Sequence, residues 1–436
     1  MTPAARIAAA IELLAAVDAA PRQPADAVAN DFFRNRRYIG SGDRRAVSER
    51  VWSVLRAWRR LEWWLQRERA APTPRLLVAA SLLLEGWTLA GVAQAYSGGR
   101  FGPAPLQPAE TTALRGVQGH TPGHPQMPEA VRLELPDWLL PHLAARFGRD
   151  LHAEMEAMVE PAPLDLRVNV LKATREHAIA SLAAEGIAAE PTPLSPWGLR
   201  VAGRRPVTSG ETFRQGLVEI QDEGSQVVAA LVGAGPEMRV ADLCAGAGGK
   251  TLAMAMAMGN RGQVAACDVS APRLQAAVRR LRRAGVHNVE RHLLQPGDKW
   301  LKRHAGSFDR VLVDAPCTGV GTWRRNPDAR LRLDERDLAE LLPKQAAILA
   351  QAARLVRKGG RLVYATCSLL TEENEAQVQA FLAAHPAFSA VPLPAAWGLP
   401  GAAPGEGDWL VLTPRRHGTD GFFAAVLERR AVEAAA

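Results

Sequence analysis

In the second half of the chain, short apolar runs alternate with amphipathic stretches. From Met238, "MRVADLC" gives way to "AGAGGKTLAMAMAM", and "QVAACDV" to "SAPRLQAAVRRLRRAG". The rhythm continues through "VERHLL", "DRVLVDAP", a long helix over 334–357, and "RLVYATCS" before "LTEENEAQVQAFLAAH". Apolar strands alternating with helices predict an α/β fold, a parallel sheet covered on both faces. Ligands of such sheets bind beyond the carboxyl ends of the strands. Cys244, Asp268, Asp314, Cys317 and Cys367 all fall at those ends. They are the first candidates for chemistry.

Residues 1 to about 96 carry helical spacing instead. "AARIAAAIELLAAVDAA" is apolar at helical intervals, and "AVSERVWSVLRAWRRLEWWLQRERA" sets Val51, Leu55, Trp58 and Leu61 on one face with arginines opposite. The run "LLVAASLLLEGWTLAGVAQAYSGG" is interrupted by Glu85 and reads as a buried helix rather than a membrane span. Gly, Pro, His and Gln dominate 97–135, which predicts a linker or long surface loop. A helix is expected in "PDWLLPHLAARFGRDLHAEMEAMVE". Beyond it, segments from "LDLRVNVLK" to "GLVEIQDEG" suggest a small mixed α/β unit over about 163–223. The expected domains are 1–135, helical with a linker from about 97; 136–235, a linker helix and the small α/β subdomain; and 236–436, the parallel-sheet domain.

Charge adds a partner class. The formal charge is +8 and the isoelectric point about 9.8. Cationic surfaces gain from releasing phosphate counterions, so a polyanion such as RNA is favoured. "FFRNRR" at 32–37 and the arginines of the helical region are candidate contacts. The four cysteines, Cys244, Cys267, Cys317 and Cys367, form no CxxC pair. Neither they nor the ten histidines show zinc spacing, so no metal is expected. Free thiols and the lack of an opening signal peptide point to the cytoplasm.

"DLCAGAGGKT" contains "GKT", but a phosphate-binding P-loop needs a glycine where Cys244 stands. A Rossmann-type loop fits better, its glycines letting a ligand approach the backbone at a helix N-terminus. Asp268 ends the next strand, about twenty residues on, where an acid holds ribose hydroxyls. NAD and S-adenosylmethionine both carry such a ribose. Two cysteines at neighbouring strand ends have no use in a dehydrogenase, but pyrimidine methylation needs a thiol. A thiolate adding to carbon 6 of cytosine turns carbon 5 into a nucleophile toward a methyl sulfonium. An acid near ring nitrogen 3, such as Asp314, would stabilise the protonated adduct. Chemistry alone leaves open which cysteine attacks.

"DLCAGAGGKT", "DAPCTGVGTWRRNPD" and "YATCSLLTEENE" resemble the motifs of the Sun/Fmu (RsmB-like) family of RNA cytosine-5 methyltransferases. "LRVN" at 166–169, "QDEGSQ" at 221–226 and "HGTDGFFAAVLER" at 417–429 do so too. The likeness covers about residues 136–430, and the N-terminal helices resemble the NusB-like RNA-binding domain of the bacterial branch. The resemblance implies a Rossmann-like class I methyltransferase domain, a small α/β RNA-binding subdomain and an all-α NusB-like domain. S-adenosylmethionine is the implied cofactor, held by Cys244, Ala245, Gly246, Ala247, Gly248, Gly249 and Lys250, with Asp268 on the ribose. Asp314 is implied beside the methionine end and the target base. Cys367 is the implied nucleophile, and Cys317 assists product release.

Two departures stand out. The chain has "AGAGG" where the family has "AAPGG", and an acid expected near the adenine aligns with Gln295, while Asp298 lies three places on. Arg324 and Arg325 are expected to clamp phosphates beside the active site, with Arg167 and Asn169 as weaker RNA contacts. The expected substrate is RNA, with 16S ribosomal RNA ahead of transfer RNA, and the expected state a monomer. A non-catalytic RNA-binding assembly factor and an NAD-linked oxidoreductase are the rivals from other classes.

Overall fold

The computed structural model describes residues 1–203 and 205–431, and the chain divides into two compact units. One comprises Met1–Pro161 together with Trp323–Glu335; the other comprises Ala162–Thr322 and the chain from Arg336 onward.

The first unit is helical. Its elements include Pro3–Asp18, Ala25–Arg34, Ser41–Arg56, Trp58–Arg67, Pro74–Leu84 and Pro108–Val117. Every residue from Leu76 to Leu84 is buried, which explains why that helix is apolar all round. No helix among the described residues is long and apolar enough to cross a membrane. The stretch around Trp58 breaks into two helices at Ala57, where φ is −115°. Val51, Leu55 and Leu61 are buried as expected, while Trp58 is only partly covered. Of the "FFRNRR" arginines, Arg34 pairs with Asp31 at 3.0 Å and Arg36 with Glu12 at 3.2 Å.

The expected linker over 97–135 is partly helical. Pro108–Val117 buries Ala113, Leu114 and Val117, and the short helix Glu129–Arg132 buries Ala130 and Val131. Pro108 sits in the first helical turn, where proline costs no hydrogen bond, and the Glu110 carboxylate accepts the Gln107 N–H at 2.8 Å. Conversely, the single helix expected after Pro136 is split at Gly148, whose φ is +50°.

Trp323–Glu335 also departs from expectation. It belongs to the helical unit and buries Trp323, Arg324, Asp328 and Arg330. The Asp328 carboxylate accepts from the backbone of Ala25 at 3.0 Å, capping the helix Ala25–Arg34, and from Arg332 at 2.7 Å. Arg324 is 5% exposed, and its carbonyl accepts from Arg56. A phosphate clamp needs an exposed guanidinium, so the role expected of Arg324 is withdrawn; Arg325 is only partly exposed.

The second unit holds two sheets. The smaller pairs β1 (Leu164–Val168), β2 (Ala189–Pro191), β3 (Gly198–Val201) and β4 (Val218–Ile220) in the antiparallel order β2-β3-β1-β4. Helix Arg175–Ala184 joins this subdomain, whose core includes Leu166, Val168, Leu182 and Leu199.

The larger sheet contains β5 (Arg239–Asp242), β6 (Gln263–Asp268), β7 (Val289–Leu293), β8 (Phe308–Asp314), β9 (Val356–Thr366), β10 (Phe388–Val391), β11 (Leu410–Leu412) and β12 (Phe422–Arg429). Its order is β10-β12-β9-β8-β5-β6-β7, with β11 beside β12. Strands β5 to β9 are parallel, as the alternating pattern predicts. β10, β11 and β12 add an antiparallel edge. Two apolar layers cover the sheet, one around Leu252, Met254 and Leu312, the other around Val311, Val313 and Tyr364.

Asp328→Ala should destabilise the helical unit by about 1–3 kcal/mol, because it uncovers the Ala25 N–H and strands Arg332. Urea unfolding of the full chain, followed by circular dichroism, measures this. An unchanged midpoint would mean that Asp328 does not hold this segment in place.

Candidate active site

The strand order reverses beside β5. The chain runs from β5 outward to β6 and β7, then returns to place β8 on the other flank of β5. A crevice opens at such a point beyond the carboxyl ends. A cavity of about 1210 Å³ occupies it, lined by residues that follow β5, β6, β7, β8 and β9.

After β5, Cys244–Gly248 turns into helix Gly249–Ala257. Gly246 (φ +53°) and Gly248 (φ +81°) supply the left-handed backbone that the turn requires. Cys244, Ala245, Gly246, Ala247, Gly249 and Lys250 line the cavity. Gly248 instead faces Ala277, whose Cβ would lie 3.1 Å from an added Cβ. Burial, with the charges of Asp242, Asp314 and Asp268, pushes the Cys244 thiol up, so it stays protonated. Cys267, buried within β6, is pushed up chiefly by burial as well.

Asp268 closes β6 and lines the cavity. Its two oxygens accept from the Gly246 and Ser270 N–H groups at 2.8 and 2.7 Å. A carboxylate held in this way keeps lone pairs for further donors. After β7, Gln295 and Asp298 both reach the cavity. Asp298 accepts from His292 at 2.6 Å and from the Trp300 N–H at 2.8 Å, and those bonds lower its carboxyl. Gln295 is exposed, and its carbonyl accepts the Asp298 N–H at 3.0 Å.

Lys250, the lysine of "GKT", reaches Asp314 at the end of β8 with an Nζ–Oδ2 distance of 2.6 Å. Burial alone would lower the ammonium, but the Asp314 charge and hydrogen bond outweigh it and the net direction is up. Lys250 is therefore a fixed cation.

Register brings the two cysteines together. β8 pairs with β9 so that Asp314 lies opposite Ala365, and the chains then diverge into the loops carrying Cys317 and Cys367. Their sulfurs are 3.4 Å apart. The hydrogen bond to Cys367, then burial and the charges of Cys367 and Glu373, push the Cys317 thiol well up. Either sulfur can donate to the other across this contact. Between them the loops are laced by Thr318 to Ser368 at 3.2 Å and by the Gly321 N–H to the Cys367 carbonyl at 2.9 Å.

Two RNA contacts expected from the sequence are corrected here. Arg167 is 3% exposed and donates to Gln221 and to the Gly249 carbonyl, the latter at 2.7 Å. Burial lowers its guanidinium to about 10, still a cation. Asn169 is also buried and donates to the carbonyls of Gly216 and Ala284 at 2.9 and 2.8 Å. "LRVN" therefore fastens the small sheet to the cavity loop and presents nothing to a phosphate.

Sequence reasoning missed two acids. Asp242, the last residue of β5, lines the cavity with Oδ2 accepting from Thr251 at 2.7 Å and a buried Oδ1 that has no partner. Glu373, fully buried, lies within the quoted "YATCSLLTEENE" but drew no role. A strand-terminal acid one loop before the glycines was the available signal for the first. An acid close behind the cysteine motif was the signal for the second.

Comparison with known proteins gives concordant matches. The family described as "16S rRNA methyltransferase RsmB/F" matches residues 229–428, and the "Methyltr_RsmF/B-like, ferredoxin-like domain" matches 135–208. A probable ribosomal RNA small subunit methyltransferase B from Synechocystis is 37% identical over 301 residues, which is 67% of this chain and 66% of that protein. Ribosomal RNA small subunit methyltransferase B from Klebsiella pneumoniae is 30% identical over 409 residues, covering 90% of this chain and 91% of that one. Among solved structures, PH0851 superposes with a TM-score of 0.80 at 26% identity, over 98% of this chain and 99% of that one. A methyltransferase homologue from Pyrococcus horikoshii gives 0.60 at 29% identity, over 69% and 97%.

S-adenosylmethionine is the cofactor that the matched methyltransferases imply, and the cavity fits it. Asp242 Oδ1 is a buried acceptor without a donor, suited to the cofactor's ammonium. Asp268 retains acceptor capacity for ribose hydroxyls, and the glycine turn admits close approach of the backbone.

Asp242 also predicts a pH effect. Burial pushes its carboxyl up to about 7, against an ordinary 3.8. The folded chain then binds this proton more tightly than the unfolded chain. The stability it contributes is full below about pH 4 and is lost as pH rises toward 7. Asp242→Asn should therefore gain on the wild type across that window, by up to ~4 kcal/mol. Urea unfolding without cofactor at several pH values checks this; a pH-independent difference would remove burial as the cause.

Proposed function

From a chain that belongs to the RsmB/F family of 16S rRNA methyltransferases, we infer an enzyme that methylates carbon 5 of a cytidine in RNA, 16S ribosomal RNA by preference. The observation carrying this reading is the 3.4 Å sulfur pair of Cys317 and Cys367, beside the Lys250–Asp314 ion pair in one cavity. One thiol would suffice for many reactions. Two in contact, with one held protonated, suit a reaction that must both form and break a bond to carbon 6.

Cys367 is the nucleophile. The family resemblance implies this role, and the Cys367 sulfur lies 3.4 Å from that of Cys317 in the same cavity. On addition to carbon 6 the Cys367 proton passes by way of Asp314 to ring nitrogen 3, and electron density moves to carbon 5. S-adenosylmethionine would supply the electrophilic methyl group. Cys317 then completes release: it gives its proton to the departing Cys367 sulfur and takes the proton leaving carbon 5. Ring nitrogen 3 loses its proton to solvent, so both thiols and the aromatic ring are restored with one net proton released.

Asp242, Asp268 and the Cys244–Lys250 turn hold the cofactor, with Gln295 or Asp298 at its adenine end. Asp298 is committed to His292 and Trp300, which leaves Gln295 the freer of the two. The +8 charge fits an RNA partner. Reaching a cytosine within folded RNA requires the base to be splayed out. An RNA substrate supports a cytoplasmic reaction.

Labelled S-adenosylmethionine with ribosomal RNA tests the assignment. Cys367→Ser should lose methyl transfer and covalent adduct alike. Cys317→Ser should slow turnover by roughly 10²–10⁴-fold and accumulate a methylated RNA–protein adduct stable to denaturation. The reverse pattern would exchange the two roles, and full turnover without adduct in both variants would end the thiol mechanism.

A further inference from the structure

The contacts of Glu373 extend to both cysteine loops. Its carboxylate accepts from the Thr318 N–H at 2.9 Å, from the Thr318 hydroxyl, and from Gln345 Nε2 at 2.9 Å. Thr318 directly follows Cys317. Gln345 also donates to the carbonyl of Pro316 at 3.0 Å, so Cys317 is gripped on both sides. The Glu373 carbonyl accepts from Tyr364 Oη of β9 at 2.7 Å. Asn374, the next residue, accepts from the Thr366 hydroxyl and donates to the Ser368 carbonyl at 3.0 Å, and those residues flank Cys367. Two consecutive side chains therefore fix one loop each.

Burying a carboxylate is costly unless donors surround it, and an apolar residue would fill the space at less expense of solvation. Three donors converge here on a residue that is 0% exposed. The Thr318 N–H and Gln345 Nε2 share one carboxylate oxygen as acceptor, and the Thr318 hydroxyl meets the other. Such a network is rigid when complete and fails when one member is removed. We propose that Glu373 is a positioning residue, locking the Cys317 loop against the Cys367 loop and so setting the separation of the two sulfurs. Its charge also contributes to keeping the Cys317 proton in place. The geometric claim stands on the hydrogen bonds; its consequence for product release rests on the function proposed above.

The test reads the sulfur pair directly. Diamide oxidises two neighbouring thiols to a disulfide and is itself reduced to the hydrazine, and peptide mass spectrometry reports the Cys317–Cys367 crosslink. Glu373→Ala and the shorter Glu373→Asp should form it at least ~10-fold more slowly than wild type, since the effective concentration of one thiol at the other falls. Glu373→Gln keeps an amide oxygen for the Thr318 N–H and Gln345, and should stay close to wild type. Thr318→Val, which removes one donor only, should slow the reaction ~2–10-fold; it carries the test should the glutamate variants fail to fold. Wild-type crosslinking rates in Glu373→Ala or in Thr318→Val, with S-adenosylmethionine binding retained, would overturn the proposal. In the activity assay, Glu373→Ala should accumulate the same methylated adduct as Cys317→Ser. Should Cys317→Ser itself give no adduct, the release role fails, and the crosslinking rate alone decides on Glu373.

Discussion

A buried ammonium pressed against a carboxylate is the constraint on which the site depends. Lys250 belongs to the helix after β5, and Asp314 to the end of β8. Separating them would leave an uncompensated charge in a nearly dry place, which is far more costly than the pair is favourable. The glycine turn and the cysteine loops are therefore obliged to share one cavity. Asp242, Asp268 and Asp314 line the same cavity. These strand-end carboxylates suit a cofactor bearing an ammonium and a sulfonium.

The cysteines illustrate how environment divides labour between identical groups. In sequence, the "PC" and "TC" thiols are equally plausible nucleophiles. In the fold, contact with Cys367, burial and the Glu373 charge push the Cys317 thiol up. Cys267 lies buried within β6, and Cys244 sits in the turn after β5; both thiols are pushed up, chiefly by burial. Of the four thiols, Cys317 and Cys367 form the pair in contact.

Periodicity made the strands and their helices legible, because a sheet covered on both faces leaves little choice of residue. The strand-end candidates followed from that pattern and do share a cavity. Pairing was not legible. Arg167 shows charge in sequence but not the Gly249 carbonyl that it donates to, and Arg324 does not show its burial, so buried structural arginines passed for RNA contacts. Proline and glycine suggested a loop over 97–135, yet Pro108 opens a helix. Glu373 was invisible for the same reason as Arg167: its donors come from residues 28 and 55 positions away.

The placement of Trp323–Glu335 bears on how the chain is made. The N-terminal helices emerge first from the ribosome, but the cap of helix Ala25–Arg34 is Asp328, 303 residues later. That unit cannot reach its final packing until most of the polypeptide has been synthesised. Until then Ala25–Arg34 lacks its cap. So distant a closure favours slow, late consolidation. The order of completion is thus the reverse of the order of synthesis: the sheet unit can nucleate around β5 to β8 while the first-made helices still await their last strip of chain.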